Sequence, residues 1–231
     1  MLIEERRQKI LKYIQQNGRA TVAELSGYIY ASEPTVRRDL TAMEKAGQIK
    51  KVYGGAMAKA AADREIPMDV RLKDALRAKE LMAQKACKHV KDGDVILLDG
   101  SSSAMAMVKY LTHFKELIVI TSGAKTAVAL AEAGIRTFCT GGMMITRSFS
   151  FVGQQAQDFI MGINADVLFF SCHGMSEDGR ATDLSMEEVN LRRVMMRHAN
   201  RKILLCDKSK YGKMYFYNLC TADDVDAVIS E

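Results

Sequence analysis

Apolar residues along this chain follow two rhythms, and the change falls near residue 94. Before it, they recur three or four apart, the spacing of one helical face. Ile3, Ile10, Leu11 and Ile14 form one such set, and Asn17-Gly18 stops it. Thr21 is placed to cap a second helix carrying Val22, Leu25 and Ile29 on one face. After a turn at Tyr30-Ala31, Ser32 is placed to cap a third, with Pro34 in its first turn, where a missing N–H costs nothing. Val36, Leu40 and Met43 face its core side, so Thr35, Arg37, Arg38 and Thr41 point elsewhere. Gly47 ends that helix, and IKKVYGGA follows as a short strand with paired glycines.

From Ala56 to Ala62 the chain is mostly alanine, a hinge or the start of a solvated helix. Leu72, Leu76, Ala83, Ala86 and Val90 then have the spacing of one amphipathic helix, closed by Asp92-Gly93. From residue 94 the pattern becomes short continuous apolar runs, each followed by a small polar loop and a helical stretch. Strands are predicted at 95–98, 117–121, 166–171, in RTFCTGG and in RKILLCD; helices at 104–111, 124–132 and in EEVNLRRVMMRHA. This repetition predicts an open α/β sheet, which binds ligands beyond the C-terminal ends of its strands. Polar residues gather at those ends: Asp99, Gly100, Ser101, Ser102 and Ser103; Thr121 and Ser122; Gly141 and Gly142; His173 and Gly174; Asp207 and Lys210. The DGSSS loop between a strand and a helix is suited to hold a phosphate with its N–H groups and hydroxyls. The domain plan is a head at 1–57, a linker at 58–74 and a body at 75–231.

Charge separates the two halves further. Residues 1–60 carry 11 Lys/Arg against 6 Asp/Glu, and the rest of the chain carries 22 of each, so the whole net charge of +5 sits in the head. A basic trihelical head followed by a basic strand suggests a winged helix-turn-helix that binds double-stranded DNA. Ser32, Thr35, Arg37, Arg38 and Thr41 would face the DNA in the major groove, where the arginines' guanidinium groups bond guanine or phosphate. Lys50, Lys51 and Tyr53 on the wing would touch backbone or minor groove. The bland alternative is that the arginines are solvated, or that Arg38 pairs with a nearby carboxylate. No apolar run approaches the roughly 18 residues of a membrane span. The N-terminus lacks the apolar core of a secretory signal. Five scattered cysteines without a CxxC pair read as reduced thiols of a cytoplasmic protein. Four histidines show no ligand spacing, so neither a metal nor a cofactor is expected.

The segments RRQKILKYIQQNG and VAELSGYIYASEPTVRRDLTAMEKAGQIKKVYGGA resemble the DeoR family of bacterial transcriptional regulators. The family's recognition helix reads Thr-(Val/Ile)-Arg-Arg-Asp-Leu, matched by Thr35 to Leu40, and its wing ends in Gly-Gly-Ala. Tyr53 stands where a His commonly precedes those glycines. The body resembles the DeoR-type sensor domain, similar in fold to ribose-5-phosphate isomerase and sugar-phosphate deaminases. Matching positions are Asp99 with Ser101–Ser103, Thr121-Ser122, Gly141-Gly142, Gly174-Met175, Glu187-Glu188 with Arg192, and Asp207 with Ser209-Lys210. Two departures stand out: the loop glycine is displaced to Gly100 with Ser101 in its place, and Ser122 replaces the usual Asn.

The resemblance implies a repressor of a carbohydrate-utilisation operon that acts as a homo-oligomer and is relieved or modulated by a phosphorylated sugar. It implies effector contacts among the strand-end residues above, with Glu187 added and Ser101–Ser103 and Lys210 on the phosphate. The rival reading is an isomerase-like enzyme with a DNA-binding head. Against it, Ser171, Cys172 and His173 stand where the isomerases carry acids for proton transfer, and Glu177 and Asp178 come later. Neighbours on a strand point to opposite faces, so Cys172 and His173 are not a nucleophile–base pair, although His173 can bond an effector oxygen. The expectation is a sensor, not an enzyme.

Overall fold

The computed structural model describes residues 2–46, 48–52, 54–58 and 66–231. The chain divides into two compact units, one running through Glu65 with 214–216, the other comprising Ile66–Lys213 and Tyr217–Glu231. The first holds helices α1 (Ile3–Asn17), α2 (Val22–Ile29) and α3 (Glu33–Lys45) and strands β1 (Arg19–Thr21), β2 (Ile49–Val52) and β3 (Gly55–Ala58). The strands form an antiparallel sheet in the order β1-β3-β2. Thr21 does cap α2: its hydroxyl accepts from Glu24 N at 3.1 Å, while Glu24 reaches back to Thr21 N at 2.7 Å. The core gathers the predicted helical positions Ile10, Ile14, Val22, Leu25, Ile29, Val36, Leu40 and Met43, closed by Ile49. Each such side chain contributes about 1.5–3 kcal/mol by leaving water. Gly55 is required by a close approach, since a Cβ there would lie 2.1 Å from Ala20 O across the sheet. Strand β1 has no signal in its three residues, Arg-Ala-Thr, and exists because β3 pairs with it. Gly47, the expected helix stop, and residues 59–65 of the expected linker lie outside the described residues.

The second unit begins earlier than the sequence predicts. In place of one helix from 72 to 90 there are two, α4 (Met68–Lys73) and α5 (Leu76–Ala86), broken at Ala75 with φ +47°. The buried Lys79 accounts for the break. Its ammonium donates to Arg71 O and, at 2.6 Å, to Asp74 O, so carbonyls left open at the end of α4 are bonded by α5. Met68 is buried, and its N–H donates to Arg147 O at 2.9 Å, which ties α4 to the body.

The remaining elements are β4 (Val95–Leu98), α6 (Ser102–Met105), α7 (Val108–Leu111), β5 (Ile118–Thr121), α8 (Ala124–Glu132), β6 (Arg136–Cys139), β7 (Met143–Ile145), β8 (Ser150–Val152), α9 (Gln154–Met161), β9 (Ala165–Ser171), β10 (Gly174–Met175), β11 (Arg180–Asp183), α10 (Met186–Arg197), β12 (Ala199–Leu205), β13 (Tyr217–Thr221) and β14 (Ala227–Ile229). Six strands make a parallel sheet in the order β14-β12-β9-β4-β5-β6. Apolar clusters cover both its faces, which is why its central strands read as unbroken apolar runs. The order runs one way from β4 to β6 and the other way from β9 to β14. The switch point is therefore the gap between β4 and β9, and a crevice opens beyond their C-terminal ends. The predicted helix at 104–111 is two short ones, α6 and α7. The apolar pattern predicts neither the hairpin β7–β8 nor the antiparallel sheet β10-β11-β13. Their strands are two to five residues long, and β7 is largely exposed, so they carry no apolar alternation to detect.

Candidate DNA-binding face and effector site

In the head, α3 buries Val36, Asp39, Leu40 and Met43 and exposes Ser32, Arg37 and Arg38 beside it, with Thr35 and Thr41 half-buried. Ser32 holds the N-cap position, but its hydroxyl meets Thr35 Oγ1 at 3.0 Å and bonds no helix amide. Arg37 makes an exposed ion pair with Glu33 one turn earlier, at 3.2 Å, and Arg38 has no carboxylate partner among the described residues. The wing is clamped to the helix. Lys51 Nζ donates to Thr41 Oγ1 at 2.9 Å and Lys51 N to Glu44 Oε1 at 2.8 Å, while Lys50 stays exposed. Tyr53 lies outside the described residues.

The one acid inside the recognition motif is turned away from this face. Asp39 is 2% exposed and bonds both Arg6 Nε, at 2.5 Å, and Arg7 Nε, at 3.1 Å, on α1. Burial pushes its carboxyl up, but the two guanidinium groups outweigh that and hold it below its ordinary value. Asp39 therefore joins α3 to α1 and places no negative charge toward a phosphate backbone. Asp39→Ala is expected to cost the head about 1.5–3 kcal/mol, the worth of hydrogen bonds to charged groups. Calorimetry should show the head's transition shifted down and the body's unmoved; an unshifted head transition would mean the clamp is incidental.

In the body, the strand-end residues come together around a side chain outside the predicted contacts. Arg192 on α10 is buried and donates Nε to Asp99 Oδ2 at 2.8 Å and Nη1 to Asp183 Oδ2 at 2.7 Å, with Glu188 Oε2 at 3.5 Å from Nη2. His173 Nδ1 meets the other Asp183 oxygen at 2.8 Å. Asp99 also accepts from Ser101 N at 3.0 Å and Ser171 N at 3.1 Å, and so bridges β4 to β9 across the switch point. Burial alone would raise the Asp183 carboxyl; His173 and the Arg192 guanidinium outweigh it and hold it below the usual carboxylate range. Burial likewise opposes the Arg192 charge, and the surrounding carboxylates more than restore it.

A second cluster closes the ends of β9 and β12. Lys210 Nζ donates to Ser171 Oγ at 2.7 Å and lies 3.4 Å from the buried Asp207, which accepts from Ser209 N at 3.1 Å. The serine loop divides its roles. Ser101 caps α6 by accepting from Ala104 N at 3.1 Å, Ser102 and Ser103 are buried, and Ser103 Oγ has no partner among the described residues. Thr121 Oγ1 accepts from Gly123 N at 3.0 Å. Ser122 faces a cavity of about 10 Å³, shared with Gly100, Ser150, Phe151, Glu188 and Arg192. That is room for about one water.

Four predicted contacts are placed elsewhere. Glu187 is exposed and bonds Ser185 Oγ at 2.9 Å at the start of α10, and the buried Glu188 takes the inward position. A helix turns about 100° per residue, so only one of two adjacent acids can face the sheet. Gly174 is committed to β10, paired with Thr182. Gly141 and Gly142 lead into the β7–β8 hairpin, with Gly142 packed against Val152 O, and do not line the cavity. Cys172 and His173 do point apart: Cys172 is buried with its sulfur 4.0 Å from that of Cys206. Asp183, Glu188, Arg192 and Ser150 are the site residues missing from the predicted contacts. Glu188 and Arg192 left a readable trace, because they share a helical face with the buried Met195, and charges on an apolar stripe need partners. Ser150 left none. Among the described residues, no group of His, Cys, Asp or Glu is placed to hold a metal ion, and no helix is long and apolar enough to cross a membrane.

Family comparison agrees with this two-part organisation. The DeoR-like helix-turn-helix domain matches residues 6–61, and the DeoR C-terminal sensor domain matches residues 74–231. The HTH-type transcriptional regulator GolR of Listeria innocua is 36% identical, covering 98% of this chain and 90% of its own. The putative aga operon transcriptional repressor of Escherichia coli is 28% identical, covering 97% and 85%. The lactose phosphotransferase system repressor of Staphylococcus epidermidis is 26% identical, covering 98% and 91%. Among solved structures, the translation initiation factor eIF-2B of Pyrococcus horikoshii matches with TM-score 0.51 at 15% identity, covering 99% of this chain and 79% of that one, a likeness of fold alone. A ribose-5-phosphate isomerase in complex with phospho-erythronic acid matches with TM-score 0.44 at 14% identity, covering 58% and 52%, too loose to transfer any residue's role. With both family domains matched in order and one relative more than a third identical over nearly the whole length, this chain belongs to the DeoR family of transcriptional regulators.

Proposed function

We propose that this protein represses a carbohydrate-utilisation operon in the cytoplasm and that a phosphorylated sugar, bound at the strand ends of its body, relieves or modulates the repression. The observation that carries the DNA half is the face of α3. Arg37 and Arg38 stand exposed beside a lysine-bearing wing that is hydrogen-bonded to the same helix, and the intervening Asp39 is buried and neutralised. Such a face meets a phosphate backbone with no opposing charge from Asp39. Lys210 and the buried serines suit a phosphate, and the carboxylates around Arg192 suit sugar hydroxyls. Two heads of a homo-oligomer would read paired half-sites, so the oligomer belongs to the same reading. The chain acts as a sensor and not as an enzyme: Asp99 and Asp183 are already bonded to Arg192, which leaves them poor proton carriers.

The test is a titration of full-length protein against duplex DNA from its own promoter region, with and without pentose and hexose phosphates. One of these should shift operator affinity and raise the melting temperature. A ligand at a hundred times its Kd adds about 2.7 kcal/mol, or roughly 5–10 °C for a domain of this size. A panel that moves neither quantity would remove the effector claim, and turnover of any of them would remove the claim that the body only senses.

A further inference from the structure

The β7–β8 hairpin crosses the mouth of the strand-end crevice. Its residues 147–151 touch two loops and the starts of two helices. Phe151 N donates to Ser122 O at 2.7 Å, and Ala124 N, at the start of α8, donates to Phe149 O at 2.8 Å. Ser150 packs so closely on the serine loop that a Cβ on Gly100 would lie 2.0 Å from its Oγ and 2.9 Å from its Cβ. This contact accounts for the glycine at 100, whose φ is not left-handed. At the near end of the segment, Arg147 O accepts from Met68 N of α4, and Lys125, which lies 4.6 Å from the Phe149 ring, pairs with Asp69 of α4. Phe149 itself is held at φ +53°, a backbone region bulky side chains avoid.

Two facts say what gives way when a ligand arrives. The cavity has room for about one water, so a larger molecule must displace part of its lining. Strands β4 and β9 lie inside the sheet and are paired on both sides, whereas the hairpin is a two-stranded ribbon at the crevice mouth. Ser150 is 1% exposed, lines the cavity, and has a hydroxyl without a partner among the described residues. We propose that residues 147–151 form a displaceable strap: the effector lifts Ser150 off Gly100, bonds its hydroxyl, and the strap passes the movement to α4, the first described element after the DNA-binding unit. This rests on the effector reading above, but it can be tested without any effector.

Gly100→Ala places a methyl where the effector would push. In full-length protein it should weaken binding to the promoter duplex by at least about fivefold, the lower end of ordinary allosteric coupling, and Ser150→Gly in the same chain should restore the affinity to within about twofold. Amide exchange should quicken at Phe151 and Met68 in the single variant and return to the wild-type rate in the double. A folded Gly100→Ala protein with wild-type DNA affinity would overturn the proposal, as would a double variant as weak as the single. If Gly100→Ala fails to fold, Ser150→Val crowds the same contact from the strap side and must give the same loss. The two readings fail separately. A sugar phosphate that weakens operator binding while both crowding variants bind normally sinks the strap and keeps the effector. Crowding variants that behave as described while no sugar phosphate acts keep the strap and sink the effector class.

Discussion

Arg192→Met is expected to destabilise the body by about 3–5 kcal/mol, the cost of leaving buried charge without its partner. That is a large share of the roughly 5–15 kcal/mol that holds an ordinary domain folded. For a domain of this size it corresponds to a melting temperature about 6–20 °C lower. Methionine fills most of the arginine's volume, so packing changes little. The loss comes from Asp99, Asp183 and Glu188, all of them at most 4% exposed and left facing one another with no guanidinium between them. Arg192→Lys, which keeps the charge but not the fork, should fall between the two. The pH dependence has a definite sign. In the wild type the Asp183 carboxyl lies below its ordinary value, so its stabilising contribution is present above pH 4–5 and is lost as the pH falls through the depressed folded value. In the variant the Asp183 carboxyl is buried without that guanidinium and is pushed upward, so acid relieves it. The two stability curves should converge below about pH 4. A methionine variant that melts with the wild type at pH 7 would show the cluster to be dispensable.

Arg37→Ala and Arg38→Ala should each weaken operator binding by about 1–3 kcal/mol, roughly 5–150-fold, with the fold intact. The fold is safe because neither side chain is buried, and the Arg37–Glu33 pair is an exposed contact worth only about 0.3–0.5 kcal/mol. The salt dependence sorts their roles. An arginine on phosphate contributes about 0.9 to the slope of log affinity against log salt, and its removal flattens the line by that amount for every sequence. An arginine on a base leaves the slope nearer its original value and relaxes the preference at one position. Unchanged binding in the double alanine variant would mean that α3 is not the recognition helix.

Much of this fold is legible in the sequence. The core positions of α1 to α3 apart from Ile3, which is exposed, the strand at 95–98, most of that predicted at 117–121 and the helix at 124–132 follow from spacing alone, because an amphipathic helix and a buried parallel strand each impose a period on the chain. The basic head and the polar strand ends follow as well, since charge and small-residue loops are local features of a sequence. The predicted effector contacts are scattered by the fold. Ser122 lines the cavity and Asp99 bonds Arg192 at its edge, whereas Glu187 faces outward and Gly141-Gly142 lead into a hairpin.

The chain's own order of residues established a basic helical head followed by an α/β body: local periodicity and local charge carry that information, and each element shows its type within a few turns. Tertiary structure alone settled which polar residues face each other. Asp99, Asp183 and Arg192 are separated by up to 93 positions yet share hydrogen bonds, because the sheet order puts β4 beside β9 and lays α10 across their ends. Gly100 and Ser150 touch only because a hairpin with no sequence signal folds back over the crevice. A contact between distant segments is specified by the packing of everything between them, and no window of sequence contains it.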